Sequence, residues 1–240
     1  MRPVEIVLVV ALLVWAAACD SLPGKPTEAD RYVHPNQVLD FDSLYALNCS
    51  GCHGAQGRLG AARALNDPLY LAIVPPVELQ RIIEKGVKGT SMPAFAQSAG
   101  GSLTGEQVDA LVAGLKQTWG GSVSGALPAY RDPAHRGHPD RGRIAFRTFC
   151  GDCHGTDGRG GEKAGSVVDP SYLGLVSDQG LRTSVIVGRP DLDMPSWREY
   201  VAGRPMTARE IADVVAWLVA QRPKYPGQPY PTTATAEGGR

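Results

Sequence analysis

The nine residues "CGDCHGTDG" at 150–158 set two cysteines, a histidine and three glycines on one short piece of chain, and "CSGCHGAQG" at 49–57 repeats the arrangement. Two thiols three positions apart with an imidazole directly behind them suit four chemistries: a redox-active thiol pair, half of a tetrathiolate zinc site, a disulfide, or thioether attachment of a porphyrin whose iron takes the imidazole. A redox pair leaves the histidine of both copies without a role, and no strand–helix–strand pattern surrounds either copy. Zinc would have to join Cys52 to Cys150, 98 residues further on (150 − 52), far beyond the usual spacing between zinc pairs. Attachment of haem c has a mechanical reason instead. Two cysteines three apart on a helical turn reach both vinyl groups of one porphyrin, and the next residue turns its imidazole to the iron. On this reading Cys49, Cys52, Cys150 and Cys153 carry two covalent haem c groups, and His53 and His154 are iron ligands.

The second axial position of each iron separates electron carriers from catalysts. The sequence holds four methionines, Met1, Met92, Met194 and Met206. Met92 follows His53 by 39 residues and Met194 follows His154 by 40, each ahead of a proline and then, two residues later, an aromatic. Scarcity and shared position favour Met92 and Met194 as iron ligands over flexible core fillers. Met206 aligns with Leu103 and stands before a helix-capping threonine, so it reads as a packing residue.

These residues sit in two copies of one unit. The cysteine motifs are offset by 101 residues; "DPLYL" from Asp67 and "DPSYL" from Asp169 by 102, as are Gly86 and Gly188; "LTGEQVDALVAGL" from Leu103 and "MTAREIADVVAWL" from Met206 by 103. The duplication implies two small domains, residues 38–119 and 138–222. Each ends in a helix announced by a capping box, Thr104 with Gln107 and Thr207 with Glu210, and by apolar stripes at Val108, Leu111, Val112, Leu115 and at Ile211, Val214, Val215, Leu218. Residues 41–52 and 141–153 read as short helices leading into the cysteine motifs, and "PPVELQRIIEKG" as a middle helix closed by Gly86. No convincing alternating strand is present, so the expected fold is all-α with long loops. The Gly-, Ser- and Pro-rich stretch 120–137 reads as an exposed linker, with His135 and His138 in solvent rather than on a metal, and 223–240 as a flexible tail.

Lys plus Arg and Asp plus Glu number 24 each, and no basic stripe interleaved with aromatics indicates nucleic acid. At the N-terminus, Arg2, an apolar run from Ile6 to Ala18 and small residues before Cys19 form the grammar of an export signal, 1–18, too short for an ordinary membrane span. "WAAAC" resembles a bacterial lipobox, which implies cleavage before Cys19, lipidation of its sulfur and a lipid-anchored linker, 19–37, on the periplasmic side of the cytoplasmic membrane. An ordinary signal cut after Ala18 and an uncleaved anchor are the alternatives.

With "CSGCH" and "CGDCH", the methionine loops "TSMPAF" and "LDMPSW" and the closing helices, the chain resembles class I cytochrome c in two copies. It is similar to the cytochrome c4 group and to the dihaem subunits of some oxidases and dehydrogenases. The resemblance implies an electron carrier whose partners are an oxidase, a dehydrogenase or another cytochrome. It also implies a proline loop whose carbonyl holds the ligand histidine, at Pro68 and Pro170. The rival class is a dihaem peroxidase-type enzyme, which keeps one iron open; a subunit feeding electrons to a larger complex is the third reading.

Overall fold

The computed structural model describes Gly24 and residues 32–223. The expectations for the export segment 1–18, for Cys19 and for all but the first residue of the tail 223–240 lie outside the described residues. The chain divides into two units, Met1–Val38 and Leu39–Arg240. In the first, a 3-10 turn at Pro35–Gln37 begins at His34, whose side chain accepts the Asn36 N–H.

The described residues of the second unit form helices joined by loops. Its first half runs α1 (Phe41–Asn48), α2 (Ser50–His53), α3 (Pro68–Ile73), α4 (Pro76–Lys85) and α5 (Gly105–Trp119). Its second half repeats this as α6 (Pro139–Phe149), α7 (Gly151–His154), α8 (Pro170–Leu175), α9 (Asp178–Val187) and α10 (Ala208–Ala220). Among the described residues no strand forms; two isolated bridges, Ala96 with Leu103 and Arg189 with Met194, are the only β pairings.

Local chemistry explains the boundaries. Both closing helices start at full capping boxes, where the Thr104 or Thr207 hydroxyl accepts the N–H of the third helical residue and that residue's side chain accepts in return. Leu103 and Met206, immediately before the caps, are buried against the core with Val108 and Ile211 one turn inside. Proline opens α3, α4, α6 and α8, at the position where a missing N–H costs nothing. The carbonyls that end α3 and α8 are met by cations from the closing segments. Lys116 Nζ donates to the Leu71 carbonyl and, at 2.8 Å, to that of Val74, and Arg222 donates to those of Leu173 and Val176 at 2.8 Å.

In each half the opening helix crosses the closing one, and the two crossings are solved in opposite ways. In the first half Phe41 lies against Gly114, and Trp119 meets Phe41 and Tyr45 edge to face. In the second half the glycine is on the opening helix: Gly142 touches the Asp213 carbonyl and Trp217, whose ring packs on Phe146 at 4.4 Å. Trp119 and Trp217 nonetheless reach equivalent glycines, Gly57 and Gly158, behind the cysteine motifs.

The stretch 120–137 departs from the expectation of an exposed linker. It has no helix, yet Tyr130 is buried, Arg182 donates to the Ala129 and Tyr130 carbonyls at 2.9 and 3.1 Å, and Arg198 donates to those of Ser124 and Ala126. Arg131 grips Glu78 of α4 through Nε and Nη2, at 3.0 and 2.8 Å. Arginine side chains thus satisfy a backbone that makes no ladder of its own, a solution composition does not announce.

Candidate functional site

Helices α1 and α6 end on Cys49 and Cys150, and a fresh single turn starts there, so each Cys-x-x-Cys-His sequence occupies its own turn of helix. The four cysteines are unpaired; Cys52 is exposed and the other three are partly so. Among the described residues no three His, Cys, Asp or Glu side chains gather at metal-binding distance, so the thiols stay in two separate pairs. Burial pushes the Cys49 thiol up to about 11 and the Cys150 thiol up to about 12. A thiol–disulfide exchange pair needs the opposite, a readily formed thiolate.

The histidines are oriented from behind. The Arg63 carbonyl accepts from His53 Nδ1 at 2.7 Å, and the Gly165 carbonyl accepts from His154 Nδ1 at 2.9 Å. Such a bond fixes the tautomer and leaves the Nε2 lone pair for a metal. Burial also lowers the pKa of His53, favouring the neutral imidazole that ligation requires. Pro68 and Pro170 do not supply these carbonyls, contrary to what the resemblance implied. They are first residues of helices whose N-caps, Asp67 and Asp169, each accept two backbone N–H groups. The acceptors lie ten and eleven residues after their histidines, in loops with no motif to flag them.

Those loops begin with the glycine-rich segments "GRLG" at 57–60 and "GRGG" at 158–161. They curl under the cysteine turns: the Ala62 N–H donates to the Cys52 carbonyl at 2.9 Å, and the Gly160 N–H to the His154 carbonyl at 2.9 Å. A Cβ on Gly60 would lie 2.2 Å from the Cys52 carbonyl oxygen, so the approach leaves no room for a side chain.

Met92 and Met194, both half-buried, stand in loops pinned to the ends of α4 and α9. The Met92 carbonyl accepts the Val87 N–H, and the Met194 carbonyl the Arg189 N–H, each at 3.0 Å. Further along, the Phe95 N–H donates to Ile83 and the Trp197 N–H to Ile186, again at 3.0 Å. Gly86 and Gly188 make this return possible. Both have positive φ, +65° and +74°, and a Cβ at either would strike the methionine or proline carbonyl within 2.5 Å. The linker histidines serve other ends: His135 is half-buried and bonds Asp132 at 2.8 Å, while His138 donates its backbone N–H to Asp213. Cys19 lies outside the described residues.

In both halves, then, the residues present fit a covalently held porphyrin: two unpaired thiols and a back-bonded, Nε2-free histidine on one turn, with a half-buried methionine in a fixed loop. Residues 36–113 and 137–218 match the family described as cytochrome c oxidase, cbb3-type, subunit III. The cbb3-type cytochrome c oxidase subunit FixP of Sinorhizobium medicae is 28% identical over 167 residues, covering 65% of this chain and 52% of that protein. FixP of Azorhizobium caulinodans is 27% identical over 160 residues, covering 64% and 50%. The chain therefore spans about half the length of the curated relatives it matches. It also overlays on a chain of the Kuenenia stuttgartiensis reducing HAO-like protein complex with a TM-score of 0.40 and 18% identity, over 84% of this chain and 99% of that one, a likeness too slight to carry function. Matched in both halves, the chain belongs to the family of the cbb3-type oxidase subunit III and carries two covalently bound haem c groups.

Proposed function

We propose that the protein is a dihaem electron carrier, not itself an enzyme, that works as the cytochrome subunit of an oxidase complex. Cys49 and Cys52 would attach the first haem, with His53 and Met92 holding its iron; Cys150 and Cys153 would attach the second, with His154 and Met194 holding its iron. The two domains are residues 38–119 and 138–222. The observation that carries this reading is the repeated construction of both halves, down to the carbonyl behind each histidine and the glycine that folds each methionine loop back.

When bound, each haem c supplies a one-electron Fe(III)/Fe(II) couple. The chain's part is to close both faces of each iron. The Arg63 and Gly165 carbonyls keep Nε2 of His53 and His154 presented, and the backbone bonds of the methionine loops hold each thioether against thermal opening. With a histidine and a methionine of the chain on each iron, no place would be left for substrate, and the chemistry supplied would be relay of electrons between redox partners. The names of the relatives support a cbb3-type oxidase as one partner. Export through residues 1–18 and lipidation of Cys19 would hold the protein on the periplasmic side of the cytoplasmic membrane. No helix among the described residues is long and apolar enough to cross a membrane.

Carbon monoxide added to the reduced protein tests the reading. Negligible binding at both irons, together with co-purification of oxidase subunits, is expected; rapid binding at one iron would favour a peroxidase-type enzyme instead.

A further inference from the structure

The loop behind the first cysteine motif is used twice. The Arg63 carbonyl accepts from His53 Nδ1 at 2.7 Å, while Arg63 Nη2 donates to Ser184 Oγ on α9, in the other half of the molecule, at 2.6 Å. The guanidinium also lies over the Tyr70 ring, 5.5 Å from its centre. Four residues earlier the Leu59 N–H donates to Asp191 at 3.1 Å, and Asp191 is held by both Nε and Nη2 of Arg189 at 2.8 and 2.9 Å. The Arg189 backbone in turn pairs with Met194 in both directions. The segment that orients one candidate ligand thus bears on the segment that presents another.

The second half has no counterpart. His154 bonds to Gly165, which has no side chain to reach across, and Gly160 stands where Leu59 stands. Leu59 holds a φ of +60°, a conformation costly for leucine by about 1–2 kcal/mol. Its own side chain is 73% exposed, so packing of that side chain does not explain the geometry.

We propose that Arg63 is a positioning residue: anchored on Ser184, it lets the second half fix the carbonyl that orients His53, so that the reduction potential of the first haem depends on contact with the second domain. The proposal rests on His53 being the ligand of that haem. A firm acceptor behind Nδ1–H makes the imidazole a stronger donor and favours oxidised iron; a loosened one raises the potential. Loss of a nearby cation acts in the reverse sense, because positive charge favours the reduced state. Ser184→Ala removes the anchor and keeps the cation, which separates the two.

The test is a potentiometric titration of the holoprotein followed by visible absorption, with the second haem's step identified in Met194→His. In Ser184→Ala, which removes the anchor and leaves the cation in place, the first haem's step is expected to rise and the second to stay. Steps that do not move, that move equally, or that move only in Arg63→Gln overturn the inference, whatever happens to thermal stability. His53→Gln is the companion variant. Should it keep the parent's low-spin spectrum, the ligand assignment falls and the inference with it. Should it lose that spectrum while Ser184→Ala leaves both steps in place, the inference alone falls.

Discussion

The opposite solutions at the two helix crossings make a strong prediction. Positions 41 and 114 hold Phe and Gly; their repeat equivalents, 142 and 217, hold Gly and Trp. A Cβ on Gly114 would lie 2.2 Å from Phe41 Cδ2 and 2.3 Å from Cγ, where ordinary contact begins at 3.4 Å, so the ring or the helix must yield by more than an ångström. Gly114→Trp alone is therefore expected to cost about 3 kcal/mol or more through overpacking. Phe41→Gly alone removes a half-buried ring from its contacts with Tyr45 and Trp119, at 5.8 and 5.4 Å, and places glycine in a helix, costing about 2–3 kcal/mol. The double variant rebuilds the large–small pair in the order the second half uses, and is expected to recover about 2 kcal/mol relative to the sum of the singles. Urea unfolding of the holoprotein, followed by far-UV circular dichroism, supplies the four corners of the cycle. Additivity to within about 0.5 kcal/mol would refute the reasoning, because it would mean the two side chains do not compete for one space.

Replacing Cys49, Cys52, Cys150 and Cys153 together by serine should remove the cooperative thermal transition and leave the chain open to protease, since small units of this size lean on their covalent haem for a core. Gly86→Ala puts a Cβ 2.5 Å from the Met92 carbonyl at a φ of +65°; it should open the first methionine loop and admit carbon monoxide to one iron but not the other. Lys116→Met strips the Leu71 and Val74 carbonyls of their donor and should lower stability by about 1–3 kcal/mol in denaturant titration. Glu78 is held down to about 2 by its hydrogen bonds with Arg131, against the opposing effect of burial. A depressed carboxylate stabilises above its unfolded value and ceases to as pH falls through its folded one, so the grip of 120–137 on α4 should weaken between about pH 4.5 and 2. Glu78→Gln should flatten that part of an acid titration of stability, and an unchanged profile would count against the role of the pair.

What the sequence disclosed was what repeats locally. The capping boxes at Thr104 and Thr207 and the apolar stripes behind them follow from hydrogen-bond chemistry within a few residues, and the helices start where those signals stand. Met206 is buried before its cap for the same reason. Contacts across long separations carried no such signal. Arg63 and Gly165 share only a position behind a histidine, and what they offer is a backbone carbonyl, which every residue has. Pro68 and Pro170 drew attention as prolines, but a proline after aspartate serves equally to open a capped helix, and does so here. The stretch 120–137 has the composition of a solvated connection; its order comes from Arg182, Arg198 and Glu78, none of which lies within it.

Electron relay without catalysis requires that Met92 and Met194 both hold iron. Near-infrared magnetic circular dichroism of the oxidised holoprotein tests this directly through the charge-transfer band between methionine sulfur and ferric iron. The band should appear with the intensity of two centres, halve in Met92→Ala and again in Met194→Ala, and vanish in the double variant. A parent spectrum without it, or one that neither substitution changes, would contradict the assignment of two saturated, electron-relaying haems.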